Sequence, residues 1–186
     1  MSVLTISPEQ GALSPQVIDD PLQISAELGQ YGVLFEQWRT EHPLAQSASQ
    51  EQVITAYRSE VNRLMKRYHL QSVDVISLGA DHPEKVTLRN QFLGEHTHSE
   101  HEVRFFVEGG GLFYLHTKGQ VFGLMCEAGD LINIPKGMPH WFDMGESPEF
   151  KCIRLFTNQE GWVAEYTDTS IVVSFPSFER FKAHYQ

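Results

Sequence analysis

A mainly β fold, an antiparallel barrel or sandwich with helices from the N-terminal third, follows from three observations. After about residue 100 the chain falls into short β-rich runs separated by glycine-bearing turns. Before about residue 90 it carries helix-capping patterns instead. Its 186 residues, 41% hydrophobic, are enough to fill one sizeable core. Runs so closely spaced argue against βαβ units, whose crossovers need roughly a dozen residues or more.

Taken in order, Asp20-Pro21 reads as an N-cap followed by a first-turn proline, with Gln23 three residues beyond the cap. That helix should fail near Gly29 to Gly32. Val33 to Trp38 is rich in β-formers and can add an edge strand. Ser49 with Gln52 forms a capping box, after which Ile54, Tyr57, Val61, Leu64, Met65 and Tyr68 recur at helical spacing and predict one continuous helix. Its charged residues, Arg58, Glu60, Arg63, Lys66 and Arg67, fall largely off that stripe and read as a solvated face rather than a binding patch. Strands are expected near Glu102 to Glu108, Gly111 to Thr117, Val121 to Glu127, Asp130 to Pro135, His140 to Met144, Cys152 to Thr157 and Trp162 to Tyr166. The tail from Ile171 carries Phe175, Phe178, Phe181 and Tyr185 and should pack back on the strands.

Charge narrows the function. Fourteen Lys plus Arg against 24 Asp plus Glu give a formal −10, which repels phosphate backbones and anionic lipid, so neither nucleic acid nor a membrane is an expected partner. Met1 to Gln10 shows no basic and apolar leader pattern, and no apolar run reaches the roughly 18 residues of a membrane span. A cytoplasmic monomer is expected. Cys126 and Cys152 lie in apolar alternating stretches and read as buried thiols, not a disulfide framework.

The chemistry gathers in two segments. In Glu95-His96-Thr97-His98-Ser99-Glu100-His101-Glu102, an extended strand would project His96 and His98 from one face. Glu102, evenly spaced from both, would join them if the strand stays regular, with Glu95 and His101 pointing the other way. In the second segment, Pro135 and Gly137 mark a tight turn that can deliver His140 at the head of the next strand. Three imidazoles and a carboxylate suit a divalent first-row metal such as iron, nickel, cobalt or manganese, and leave positions open for a bidentate substrate. A lone His-X-His pair is more often structural; the carboxylate and the distant Pro-X-Gly-X-X-His are what favour a metal.

Arg104 lies two residues after Glu102 on the same expected face, where it can stabilise anionic oxygens, and Arg154 is a second candidate for that catalytic role. Either can equally be one half of a structural ion pair. Phe105, Phe142 and Trp162 are candidate walls for an apolar part of a substrate, with ordinary core packing as the alternative. By alternation Phe105 faces away from Arg104, so both can line the site only if the strand bulges or twists. Gly109-Gly110-Gly111 reads as a turn, not a phosphate loop, since no helix follows it.

The two segments resemble the two cupin motifs, as His96-X-His98-X3-Glu102-X6-Gly109 and Gly129-X5-Pro135-X-Gly137-X2-His140. Asn90 and Met144 depart from the usual glycine and asparagine at positions that carry no ligand. Within the cupins the chain resembles the bacterial acireductone dioxygenase family: Glu95 to His98, Glu102 to Gly109, Gly129 to Leu131, His140 to Asp143, Arg154 to Phe156 and Gly161-Trp162 are family-like, as is Gly32 to Trp38. His101 stands where that family often has an acid.

The resemblance implies one cupin domain over 1–186, with a helical portion over 1–89 packed on a barrel core over 90–170 and a tail over 171–186. It implies one Fe(2+) or Ni(2+) ion per chain, held by His96, His98, Glu102 and His140. The implied activity is cleavage by dioxygen of the acireductone 1,2-dihydroxy-3-keto-5-methylthiopentene in methionine salvage. Iron would give formate and 4-methylthio-2-oxobutanoate, and nickel methylthiopropionate, formate and carbon monoxide. A cupin isomerase or decarboxylase would use the same cage without consuming oxygen, and a ligand-binding cupin would bind without turnover.

Overall fold

A computed structural model describes residues 1–11, 14–45, 47–157 and 163–186. Two antiparallel sheets face each other. The first, of seven strands, contains β1 (Val3–Pro8), β2 (Gln16–Ile18), β5 (His96–Thr97), β7 (Gly111–Thr117), β8 (Gln120–Cys126), β10 (His140–Asp143) and β12 (Glu165–Tyr166), in the order β12-β5-β10-β7-β8-β1-β2. The second contains β3 (Leu34–Gln37), β4 (Ser72–Leu78), β6 (Glu102–Gly109), β9 (Asp130–Ile134) and β11 (Phe150–Phe156), in the order β3-β9-β6-β11-β4.

β1 and β6 to β11 are buried along nearly their whole length because both faces of the sheets are covered there. On β6, Phe106 points inward and meets Phe113, Leu124, Phe142 and Phe150 in the core between the sheets. Val103, Phe105 and Val107 point outward, under α2 (Gln50–Ala56) and α3 (Arg58–Tyr68), against Val53, Tyr57, Val61 and Leu64. On the far side, Leu112, Tyr114 and Trp141 are covered by Phe181 of α5 (Phe178–Tyr185), with Phe175, Phe178 and Tyr185 around it, so the aromatic tail packs back as expected. Burying such rings is the largest favourable contribution to a fold of this size.

Several local rules hold. Asp20 caps α1 (Pro21–Gly29) by accepting from the Gln23 amide at 2.8 Å, and Ser49 with Gln52 completes a reciprocal capping box on α2. The Val33–Trp38 run supplies the edge strand β3.

Three expectations change. The single helix from residue 50 to 68 is two, broken at Tyr57 (φ −103°, ψ 27°), whose buried ring meets His42 and Phe105 edge-on. The break lets Val53 before it and Val61 and Leu64 after it all reach the same curved sheet. The N-terminal portion 1–89 is not only helical: it contributes β1 to β4, and β1 pairs along its whole length with β8. A fourth helix that the sequence did not announce, α4 (Lys85–Leu93), lies against β10. The glycine run is the expected turn: Gly109 has φ +58°, and a Cβ there or at Gly110 would meet the backbone oxygens of Glu149 and Cys126.

Candidate metal centre

The site lies where the ends of the two sheets converge. β5 and β10 pair so that His96 and His140 are direct partners, and His98 follows one residue after β5. The turn after β9 is docked onto the same place: Gly137, at φ +73°, donates its amide to the His98 carbonyl at 2.9 Å, which ties the two histidine segments together. Glu102 opens β6 in the opposite sheet. The expected regular strand from His96 to Glu102 is therefore absent. The chain crosses between sheets over residues 98–101, and Glu102 meets the histidines from across the core.

His96, His98 and His140 are all buried, and each offers a ring nitrogen within 4.8 Å of the others. In each, Nδ1 is held by a backbone carbonyl: Gly94 for His96 at 2.7 Å, Val163 for His98 at 3.0 Å and Met138 for His140 at 2.9 Å. A carbonyl only accepts, so Nδ1 carries the proton and Nε2 turns inward as the free donor atom. The Glu102 carboxylate sits among them, with Oε2 2.9 Å from His140 Nε2 and 3.4 Å from His98 Nε2. Its other oxygen is paired with the Arg104 guanidinium.

The electrostatics favour a cation. Burial and the nearby His140 push His96 down to about 4, so it stays neutral and available as a ligand. Burial alone would raise Glu102, but the Arg104 charge and the bonds from His140 and His98 outweigh it and hold the carboxyl well below its usual range. Burial lowers His98, yet its pairing with Glu102 wins and raises it. Three imidazoles and one carboxylate form a donor set that fits a divalent transition metal.

A pocket of about 150 Å³ opens beside these groups, lined by His96, His98, Glu102, Arg104, Arg154, Gln91, Phe92, Phe156, Ala164 and Tyr166. Both arginines expected at the site are there. Arg154 is held in a two-point pair by Asp74 of β4.

The aromatic expectations need correction. Phe105 is buried on the outer face of β6 against Trp38 and Tyr57. The one register irregularity between β6 and β11 skips Val107, too far along to turn Phe105 inward. Phe142 lies in the core beneath the site, its ring centroid 5.6 Å from the Arg104 guanidinium carbon, and does not line the pocket. Trp162 lies outside the described residues. The apolar walls are Phe92, Phe156, Ala164 and Tyr166, none of which the sequence reading singled out. Alternation could have found Phe156, two residues beyond Arg154; Phe92 sits on the unannounced α4. His101 faces away, as expected, toward Asn133 Oδ1 at 3.2 Å. Glu95 does too. It accepts from Thr167 and Thr169 and lies 2.8 Å from His116 Nδ1, which fastens the segment after β12 against β5.

Known proteins resemble this chain. The model of the ARD/ARD′ family matches residues 8–164. An acireductone dioxygenase of Aquifex aeolicus is 54% identical over 179 residues, covering 96% of this chain and 97% of that protein. The acireductone dioxygenase of Methylococcus capsulatus is 50% identical over 185 residues, the full length of both. Among solved structures, the acireductone dioxygenase from Bacillus anthracis with a cadmium ion in its active centre superposes with a TM-score of 0.80 at 29% identity, covering 89% of this chain and 98% of that one. Matched along most of its length by the family model and half identical to such relatives, this chain belongs to the ARD/ARD′ family.

Proposed function

We propose that this protein is an acireductone dioxygenase that cleaves 1,2-dihydroxy-3-keto-5-methylthiopentene in methionine salvage, with one Fe(2+) or Ni(2+) per chain held by His96, His98, His140 and Glu102. The observation that carries the metal centre is the locking of all three Nδ1 atoms by backbone carbonyls, which turns three Nε2 donors toward one carboxylate. A bound divalent ion supplies Lewis acidity that favours the deprotonated, chelating form of the enediol.

The protein's own groups bind and orient. Arg104 and Arg154 line one side of the pocket, where their guanidinium groups meet anionic oxygens. Phe92, Phe156 and Tyr166 offer an apolar surface to the methylthio tail. The pairs Arg104–Glu102 and Arg154–Asp74 fix both forks, so little ordering remains when substrate binds. No helix among the described residues is long and apolar enough to cross a membrane, and we place the enzyme in the cytoplasm as a monomer acting on this small molecule and dioxygen.

The test is oxygen consumption by metal-stripped protein reloaded separately with iron and with nickel, with the products resolved. Turnover with different products for the two metals is expected. Metal binding without oxygen uptake would overturn the dioxygenase reading in favour of an isomerase or a binding protein.

A further inference from the structure

The pocket has a mixed lining: Glu102, Arg104 and Arg154 are charged, and Phe92, Phe156 and Tyr166 offer apolar surface among them. Phe156 is buried, and Phe92 is packed against the core with its ring edge toward Phe142 at 6.2 Å. Tyr166 is different. It is 51% exposed and belongs to the two-residue edge strand β12, paired with β5 through Tyr166 and His96.

Three contacts hold its ring at an exposed side of the pocket. It meets the His96 imidazole edge-on, with centroids 5.8 Å apart. Its hydroxyl donates to the Gln91 carbonyl at 3.1 Å, which reaches from the sheet edge to the last turn of α4. It also lies over Gly94, where two ring carbons would stand 2.7 and 2.9 Å from an added Cβ. Gly94 has an ordinary φ of −66°, so glycine is needed there to make room for the ring, not for backbone freedom. With its hydroxyl committed to Gln91, the ring shows a tail only apolar surface on its inner face, while its other side is wet.

We infer that Tyr166 sets the length of the apolar tail that this pocket accepts. The inference rests on the substrate reading given above. A tail longer by a few methylenes must displace the ring, and shifting the ring breaks its bond to Gln91 and its contact with His96. Removing the ring opens that side of the pocket to solvent, so a longer tail gains a path while the native tail loses a wall.

The experiment uses full-length nickel-loaded protein, with metal content verified, and acireductones whose methylthio group is replaced by methyl, propyl or hexyl. Selectivity is read twice: as the ratio of kcat/KM values in air, and as the ratio of equilibrium dissociation constants without oxygen. Tyr166→Ala is expected to shift the hexyl-to-methyl ratio by about tenfold or more toward the long tail, mostly through KM, since each misfitted methylene in an apolar pocket is worth at least about tenfold. Gly94→Ala pushes the ring aside without removing it and should shift the ratio the same way. Tyr166→Phe keeps the ring but loses its bond to Gln91, and should shift the ratio the same way by less than Tyr166→Ala does. An unchanged ratio in both Tyr166→Ala and Gly94→Ala overturns the inference. Should Tyr166→Ala fail to hold metal, Tyr166→Leu reads the same ratio. Absence of oxygen uptake by the wild type with every probe overturns the substrate reading instead, and the anaerobic binding ratios still decide the role of Tyr166.

Discussion

Arg104 and Arg154 stand directly opposite one another on β6 and β11, both on the pocket side of the sheet. Like charges so placed repel. Glu102 and Asp74 compensate them one each, and Arg104 Nη1 is still buried without a hydrogen-bond partner among the described residues. A buried donor left open in this way is costly unless a ligand oxygen fills it. Arg104→Lys keeps the charge but loses the planar fork, and kcat should fall about 10²-fold while metal content stays at one ion per chain. Full activity would return Arg104 to the role of a partner for Glu102 alone.

His98→Ala should bring bound metal well below one ion per chain, measured by elemental analysis after gel filtration. His101→Ala should leave it unchanged, because that ring faces Asn133. Equal loss in both would mean that the 98–101 crossing, not the His98 ligand, governs metal uptake.

The metal-free and metal-loaded proteins should respond to pH in opposite senses. His98 is raised above its ordinary value of 6.5, so its protonation stabilises the metal-free fold fully below that value, and the gain is lost as pH rises through the folded pKa. A metal competes with the same proton and binds more tightly over the same interval. The difference in Tm between loaded and stripped protein should therefore widen on going from about pH 6 to about pH 8, around the histidine range. A constant difference would remove His98 from the metal's ligands.

Phe105→Ala should cost about 3–5 kcal/mol of stability in denaturant titrations and leave KM unchanged, because the ring lies under α2 and α3. Phe156→Ala should instead raise KM. The reverse pattern would put Phe105 back at the substrate.

Asp143 is a buried junction: it pairs at two points with Arg89 of α4 and accepts the amides of Gly145 and Phe178. Asp143→Ala leaves the two amides open and Arg89 with only Glu179 and Glu146, and should lower stability by about 3 kcal/mol, seen as a shifted denaturant midpoint at unchanged slope. A shift no larger than that of an exposed ion pair would show that water replaces the carboxylate.

What the sequence made legible was local. The caps at Asp20 and Ser49 and the strands from Glu102 to Phe156 follow from patterns a few residues long. β1 escaped although Leu4 and Ile6 alternate with Thr5 and Ser7, because the run is short and its partner β8 lies far along the chain. The break at Tyr57 reflects the curvature of a sheet formed by residues about fifty positions away, which no helical period encodes. At the site, the four expected ligands come together, but Glu102 does so from the facing sheet rather than along one strand. The inward turn of Phe156 and the outward turn of Phe105 were both within reach of simple alternation.

His96 and His140 belong to one sheet, His98 stands at the start of the crossing and Glu102 belongs to the other sheet, so an ion held by all four would fasten the layers of the sandwich where they converge. Such an ion binds the folded chain and not the unfolded one, and every tenfold excess over its dissociation constant adds about 1.4 kcal/mol to the stability. Metal supply would then govern how long each copy survives proteolysis as well as what it catalyses. In a metal-starved cell the enzyme would be lost by turnover, not held in reserve as an inactive form.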